Sequence, residues 1–226
     1  MLKNCLLILF SLLALSGCTK TANVPTDIPL DQEATKAAPW KPGEIVAQGN
    51  GFIYYDIAGS KSVSRSYPIY RAFVGILPNG HYMVQEFYSD SDRKFTDPYE
   101  LSESADVNVI SPIRDSQSIK GTITTWYPNG KKYGEDVRGE ERGSFQSWYI
   151  NGKPWMKGSL YKDLPYGHTT YWYPNGQKSH EGEQHYSEDV GEWKYWDMQG
   201  RELTKREFRH YQETEYQLLS PDDSLK

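Results

Sequence analysis

The feature that most constrains the fold is a pattern written four times. "GTITTWYPNGK" (Gly121 to Lys131) is followed by "GSFQSWYINGK" (Gly143 to Lys153), "GHTTYWYPNGQ" (Gly167 to Gln177) and "GEWKYWDMQGR" (Gly191 to Arg201). The closing glycines Gly130, Gly152, Gly176 and Gly200 recur after 22, 24 and 24 residues, a period that signals a stacked repeat architecture. Each copy opens with Gly nine places before its closing Gly and carries Trp126, Trp148, Trp172 or Trp196 four places before it. Tyr127, Tyr149 and Tyr173 come next, with Asp197 in the last copy. The Thr, Ser and aromatic residues between Gly and Trp have strand composition. The order Pro128, Asn129, Gly130 suits a type I turn closed by a left-handed glycine bulge, because Pro at a two-residue turn would remove a needed N–H donor. That register sets Tyr127 opposite Lys131, Tyr173 opposite Gln177, and Asp197 opposite Arg201, the last as an exposed ion pair of little worth.

Each unit is thus a β-hairpin. One hairpin is marginal in water, so the units must stack into a continuous antiparallel sheet. The expected fold is all-β, an elongated sheet of stacked hairpins with a smaller N-terminal β-subdomain. Alternation along the strands sends the Trp column to one face and the Tyr column to the other.

These residues carry a family resemblance. "GSFQSWYINGK" and "GHTTYWYPNGQ" resemble the bacterial variant of the MORN repeat, with its Trp/Tyr-Tyr-x-Asn-Gly-Lys core, over residues 121 to about 211. The resemblance implies a hairpin array used for protein or lipid contact, and an antitoxin role of the kind many bacterial members are assigned. The last copy departs from the pattern at Asp197 and Gln199, as a capping repeat does.

The chain begins "MLKNCLLILFSLLALSGC". One cation, Lys3, precedes an apolar run from Leu6 to Leu15 that is too short to span a membrane and has the shape of a secretory signal. Its end, Leu15-Ser16-Gly17-Cys18, resembles a bacterial lipobox, which implies cleavage before Cys18, palmitate or similar acyl chains on that residue, and loss of Cys5 with the signal. No thiol would then remain for a disulfide or a metal. Several acyl chains anchor stably where one does not. Thr19 rather than Asp after the cysteine points to the outer membrane, facing the periplasm, if the cell has two membranes. The resulting division is 1–17 signal peptide, 18–44 lipidated tether, 45–95 N-terminal β-subdomain, 96–120 connection, 121–211 repeat array and 212–226 C-terminal tail. Within the N-terminal β-subdomain, "RAFVGILPNGHYMVQEFYSD" (Arg71 to Asp90) reads either as a degenerate fifth hairpin, with Ile76 and Leu77 in place of Trp-Tyr, or as an unrelated one.

Charge and motif content narrow the function. With 25 Lys and Arg against 30 Asp and Glu the net charge is −5, so the basic field that nucleic acid needs is missing. "SHEGEQH" holds His180, Glu181, Glu183 and His185. The histidines are five apart, which on a strand sends them to opposite faces, unlike the helical His-x-x-x-His of zinc proteases. His168 and His210 read as isolated. No phosphate loop, dinucleotide fingerprint or nucleophile elbow occurs. The expectation is a protein without enzymatic activity, metal or cofactor: a membrane-anchored binding or scaffold module of the bacterial envelope. Its partner would be an envelope protein, with toxin neutralisation and stacking on cell-wall glycan as alternatives. Trp126, Trp148, Trp172 and Trp196 read as structural, while Tyr149, Tyr171, Tyr173 and Tyr195 are the expected binding face, because Tyr hydroxyls favour half-wet surfaces.

Overall fold

The computed structural model describes residues 20–56, 62–102, 105–110 and 119–214. Cys18 and the signal segment lie outside the described residues, as do 215–226 of the tail. The protein is all-β. Among the described residues, twelve antiparallel strands follow one another in sequence order: β1 (Ile45–Asp56), β2 (Ser62–Ile76), β3 (Tyr82–Tyr88), β4 (Tyr99–Leu101), β5 (Ile119–Trp126), β6 (Lys132–Arg138), β7 (Arg142–Trp148), β8 (Pro154–Tyr161), β9 (Leu164–Trp172), β10 (Lys178–His185), β11 (Glu188–Trp196) and β12 (Glu202–Leu203). They form blocks of four and eight strands. The junction is narrow, two residue pairs between β4 and β5, Glu100 with Lys120 and Leu101 with Ile119.

The four Gly-closed turns share one geometry. Gly130 N donates to Tyr127 O at 2.9 Å and Tyr127 N to Lys131 O at 2.8 Å, and the pair recurs at Tyr149, Tyr173 and Asp197. This is the type I turn with a bulge. The closing glycines have φ between 82° and 90°, a region that costs a residue with a Cβ about 1–2 kcal/mol. Leu77, Gly80 and His81 repeat the same two bonds, so the Pro78-Asn79-Gly80 turn is built like the others despite lacking Trp-Tyr before it.

The repeats are tied to one another as well as folded. Asn129, Asn151 and Asn175 each accept a bond at Oδ1 from the backbone N–H two residues on. Asn151 Nδ2 also donates to Pro174 O at 2.9 Å, and Asn175 Nδ2 to Met198 O at 2.8 Å. Lys131 Nζ reaches Asn151 O, and Lys153 Nζ reaches Asn175 O. One Asn therefore shapes its own turn and holds the next. Glycines within strands serve packing: a Cβ on Gly158 or Gly182 would strike the rings of Phe145 and Trp193, which lie over them.

Two sequence expectations need correction in the N-terminal block. Residues 20–44 do not form a free tether. Ala22 N donates to Gly43 O, Gly43 N to Phe73 O, and the short helix α1 (Gln32–Ala37), capped by Asp31, offers Thr35 Oγ1 to Ile76 N. Low apolar content hid this, because the segment binds mainly through backbone groups and a few side chains such as Leu30 against Gly75. Nor is 96–120 merely a connection. It supplies β4, and its residues 105–110 are fixed by a buried ion pair: Arg71 Nη2 meets Glu86 Oε1 at 2.8 Å, and Tyr99 OH donates to the same oxygen at 2.7 Å. Arg71 Nη1 donates to Val109 O at 2.8 Å.

The chain's other end also differs. Residues 205–213, placed in the array and tail by the sequence reading, form helix α2 (Lys205–Glu213). Thr204 and Glu207 make a reciprocal capping box at its start, a Thr-x-x-Glu signal that was legible. Phe208 and Tyr211 of α2 pack on Tyr173, Tyr195 and Leu203.

Candidate functional site

The two faces of the array are set by alternation, since Trp and Tyr are adjacent in each repeat. The Tyr face turns out to be core. Tyr127, Tyr149 and Tyr173 are 1%, 7% and 1% exposed, and Tyr195 is 7% exposed. Their hydroxyls do not need water. Tyr88, Tyr127, Tyr149 and Tyr173 donate to the carbonyl oxygens of Trp126, Trp148, Trp172 and Trp196 at 2.6–2.8 Å, each reaching the next hairpin. A satisfied buried hydroxyl of this kind contributes about 1 kcal/mol net. Burial pushes the Tyr127 and Tyr173 phenols above their ordinary range.

The expected Tyr binding face is therefore corrected for Tyr149, Tyr173 and Tyr195. The expectation treated the sheet as open on both sides, whereas this face is covered at each end. Strand β1 lies over it at one end, where Tyr55 meets Tyr127 at 5.6 Å and Tyr133 OH receives Tyr54 N. Helix α2 covers the other end. Tyr171 is half-buried and stacks on His180 at 4.2 Å and 6°. Trp193, Tyr195 and Phe208 crowd the same imidazole, and burial, against a weaker pull from Asp189, lowers its pKa to about 4. Nearby Thr169 Oγ1, Gln184 Oε1 and Trp193 Nε1 are buried with no hydrogen-bond partner among the described residues.

The Trp face is the accessible one. Trp126, Trp148, Trp172 and Trp196 are all half-buried and recur every second strand, about 9.6 Å apart. Lys94 Nζ sits 3.6 Å over the Trp126 ring, Lys132 Nζ 5.2 Å over Trp148, and Lys178 Nζ 5.7 Å over Trp196. Each lysine is paired with an acid three residues on: Asp97, Glu135 and Glu181, at 2.7–2.8 Å. In the second repeat Pro154 takes the lysine's place opposite Trp148. These Trp were expected to be structural; they form a regular half-exposed column edged by paired charges. The lysines that cover the rings went unnoticed in the sequence, although "GKK" and "GQK" place Lys132 and Lys178 two residues after the closing glycines Gly130 and Gly176; Lys94 has no such repeat position.

The histidines separate as their spacing requires. His180 faces the covered side, and His185 stacks on Tyr166 at 4.5 Å on the other. His168 is not isolated: it lies 3.5 Å from Glu181 and 3.4 Å from Glu183. Among the described residues no group of three or more His, Cys, Asp or Glu is arranged to hold a metal ion, and no helix is long and apolar enough to cross a membrane. Asp197 differs from the exposed partner expected. It is 4% exposed, and although burial pulls its pKa up, bonds from Arg201 and the Gln199 N–H hold it below the usual carboxylate range. No family model, no curated protein and no solved structure matches this chain, so the resemblance to MORN repeats rests on the repeat residues alone.

Proposed function

We propose that the chain is a non-catalytic lipoprotein of the bacterial envelope, anchored through Cys18, whose repeat array binds or scaffolds a partner protein through its Trp face. The observation that carries this reading is the column of four half-exposed Trp rings in repeat register, three of them, Trp126, Trp148 and Trp196, set under acid-paired lysines. Large rings partly open to solvent and edged by polar groups are the usual anchors of protein interfaces. A second reading, contact with cell-wall glycan, is supported by the same column, since evenly spaced rings suit a repeating chain of sugars. Toxin neutralisation remains the role that the MORN resemblance implies.

The anchor is tested by changing Cys18→Ala and labelling cells with palmitate. Label should be lost, and the protein should move from the membrane fraction. Label retained on the variant would refute the lipidation.

A further inference from the structure

The Trp face of strands β7 to β11 is open, and its residues are laid out in rows that the strand register fixes. Gln146, Lys157, Thr170, Glu181 and Lys194 lie side by side in one row across the five strands. Toward the turns that close with Gly152 and Gly176, Trp148 stands opposite Pro154 and Trp172 opposite Lys178. At the far end Arg142 stands opposite Tyr161, and His185 opposite both Tyr166 and Glu188, with the Tyr161 and Tyr166 rings 5.6 Å apart. Leu164 and Tyr186 beside them are 45% and 53% exposed. Arg142, Lys157 and Glu188 are exposed, and none has an ion-pair partner among the described residues. Strand β9, at the centre, contains no Lys, Arg, Asp or Glu.

We propose that this face pairs with the same face of a second copy of the chain, about a two-fold axis running along β9 between the two sheets. Such an axis exchanges β7 with β11 and β8 with β10, and every contact occurs twice. Arg142 of each copy meets Glu188 of the other, Lys157 meets Glu181, and Trp148 meets Trp196. Lys194 and Lys178 meet the uncharged Gln146 and Pro154, so no like charges are opposed. Neighbouring strands fail this test. An axis along β8 would set Lys132 against Lys178 and Glu135 against Glu181; one along β7 would set Arg142 against itself, and one along β10 would do the same to Lys178 and Glu181. Like charges facing each other are destabilising. Five strands about 4.8 Å apart and seven residues of about 3.3 Å cover about 500 Å² per copy. Two such faces fall at the low end of specific interfaces. The pair is therefore weak in solution, and the anchor proposed for Cys18 would strengthen it by confining both copies to one membrane. The inference rests on the Trp face being the binding surface, and names its partner as a second copy.

The test is disulfide trapping in cells that make the full chain, oxidised with copper phenanthroline and read on a non-reducing gel. Thr170 lies on the axis, so Thr170→Cys should give a covalent dimer. Ser144 lies on β7, away from the axis, and Ser144→Cys, like the parent chain, should give at least tenfold less. Arg142→Glu added to Thr170→Cys should cut the dimer at least tenfold, because symmetry opposes like charges at both ends. Adding Glu188→Arg to that variant should restore it. No dimer from Thr170→Cys, as much from Ser144→Cys, or no recovery on the double reversal would overturn the proposal. Thr170→Cys leaves every Trp ring in place, so a variant that forms no dimer yet captures a different envelope protein would overturn self-pairing while the Trp-face reading stands.

Discussion

Acid should weaken the C-terminal end of the array through one imidazole. His180 is enclosed by Tyr171, Trp193, Tyr195 and Phe208, and its pKa falls from the ordinary 6.5 to about 4 because burial disfavours the charged form. In the unfolded chain the same residue takes up a proton near pH 6.5. Between those two values the unfolded state binds more protons, so stability is full above about pH 6.5 and is lost as pH falls toward 4. The whole gap is worth at most about 3 kcal/mol, and about 2 kcal/mol of it should be lost between pH 7.5 and 5. Asp197 and Glu181, whose pKa values are held down, lose their contributions only in the carboxylate range below this window. The assay is urea unfolding followed by Trp fluorescence, for wild type and His180→Phe, at pH 7.5, 6.5, 5.5 and 5. The difference in unfolding free energy between the two proteins should shift by about 2 kcal/mol in favour of the variant across the window. Parallel pH dependences would show that His180 is not held neutral by packing.

Two further outcomes follow from the fold. Glu86→Gln should cost about 3 kcal/mol or more in urea unfolding, because it strands the buried Arg71 charge, whereas Arg71→Met with Glu86→Leu should cost less than the two single changes summed; additive losses would show that the pair is not coupled. Gly152→Val and Gly200→Val should each cost at least about 1 kcal/mol, since both glycines have left-handed φ and α2 supports the last turn, with Met198 N donating to Tyr211 OH; a negligible loss at Gly200 alone would show that α2 does not hold the last turn.

The repeat was legible because its constraints are local. Gly-closed turns, Pro at the first turn position and the Trp-Tyr dyad specify hairpins without reference to the rest of the chain, and the turn at Gly80 followed the same rule even with Ile76 and Leu77 before it. What the sequence hid depends on distant partners. Tyr149 and Tyr173 have the composition of a wet interface, and only the cover supplied by β1 and α2, with a Trp carbonyl waiting one repeat away, makes them core. Arg71 and Glu86 look like surface charges until residues 105–110 close over them. Residues 20–44 look like a linker because backbone bonds to Gly43 leave no compositional trace. Helix α2 was readable from Thr204 and Glu207 but was overridden by the strand pattern running up to it.

The central claim is that the Trp face is available for binding while the Tyr column holds the array together. It is tested most directly by comparing Trp148→Thr with Trp172→Thr, combined, against Tyr149→Ser with Tyr173→Ser, combined, in circular dichroism and in crosslinking capture of the envelope partner from intact cells. The Trp variant should keep its strand signal and lose at least tenfold in capture, about 1.4 kcal/mol or more, while the Tyr variant should lose its strand signal. A folded Tyr variant that no longer captures the partner, beside a Trp variant that captures at wild-type yield, would contradict the account.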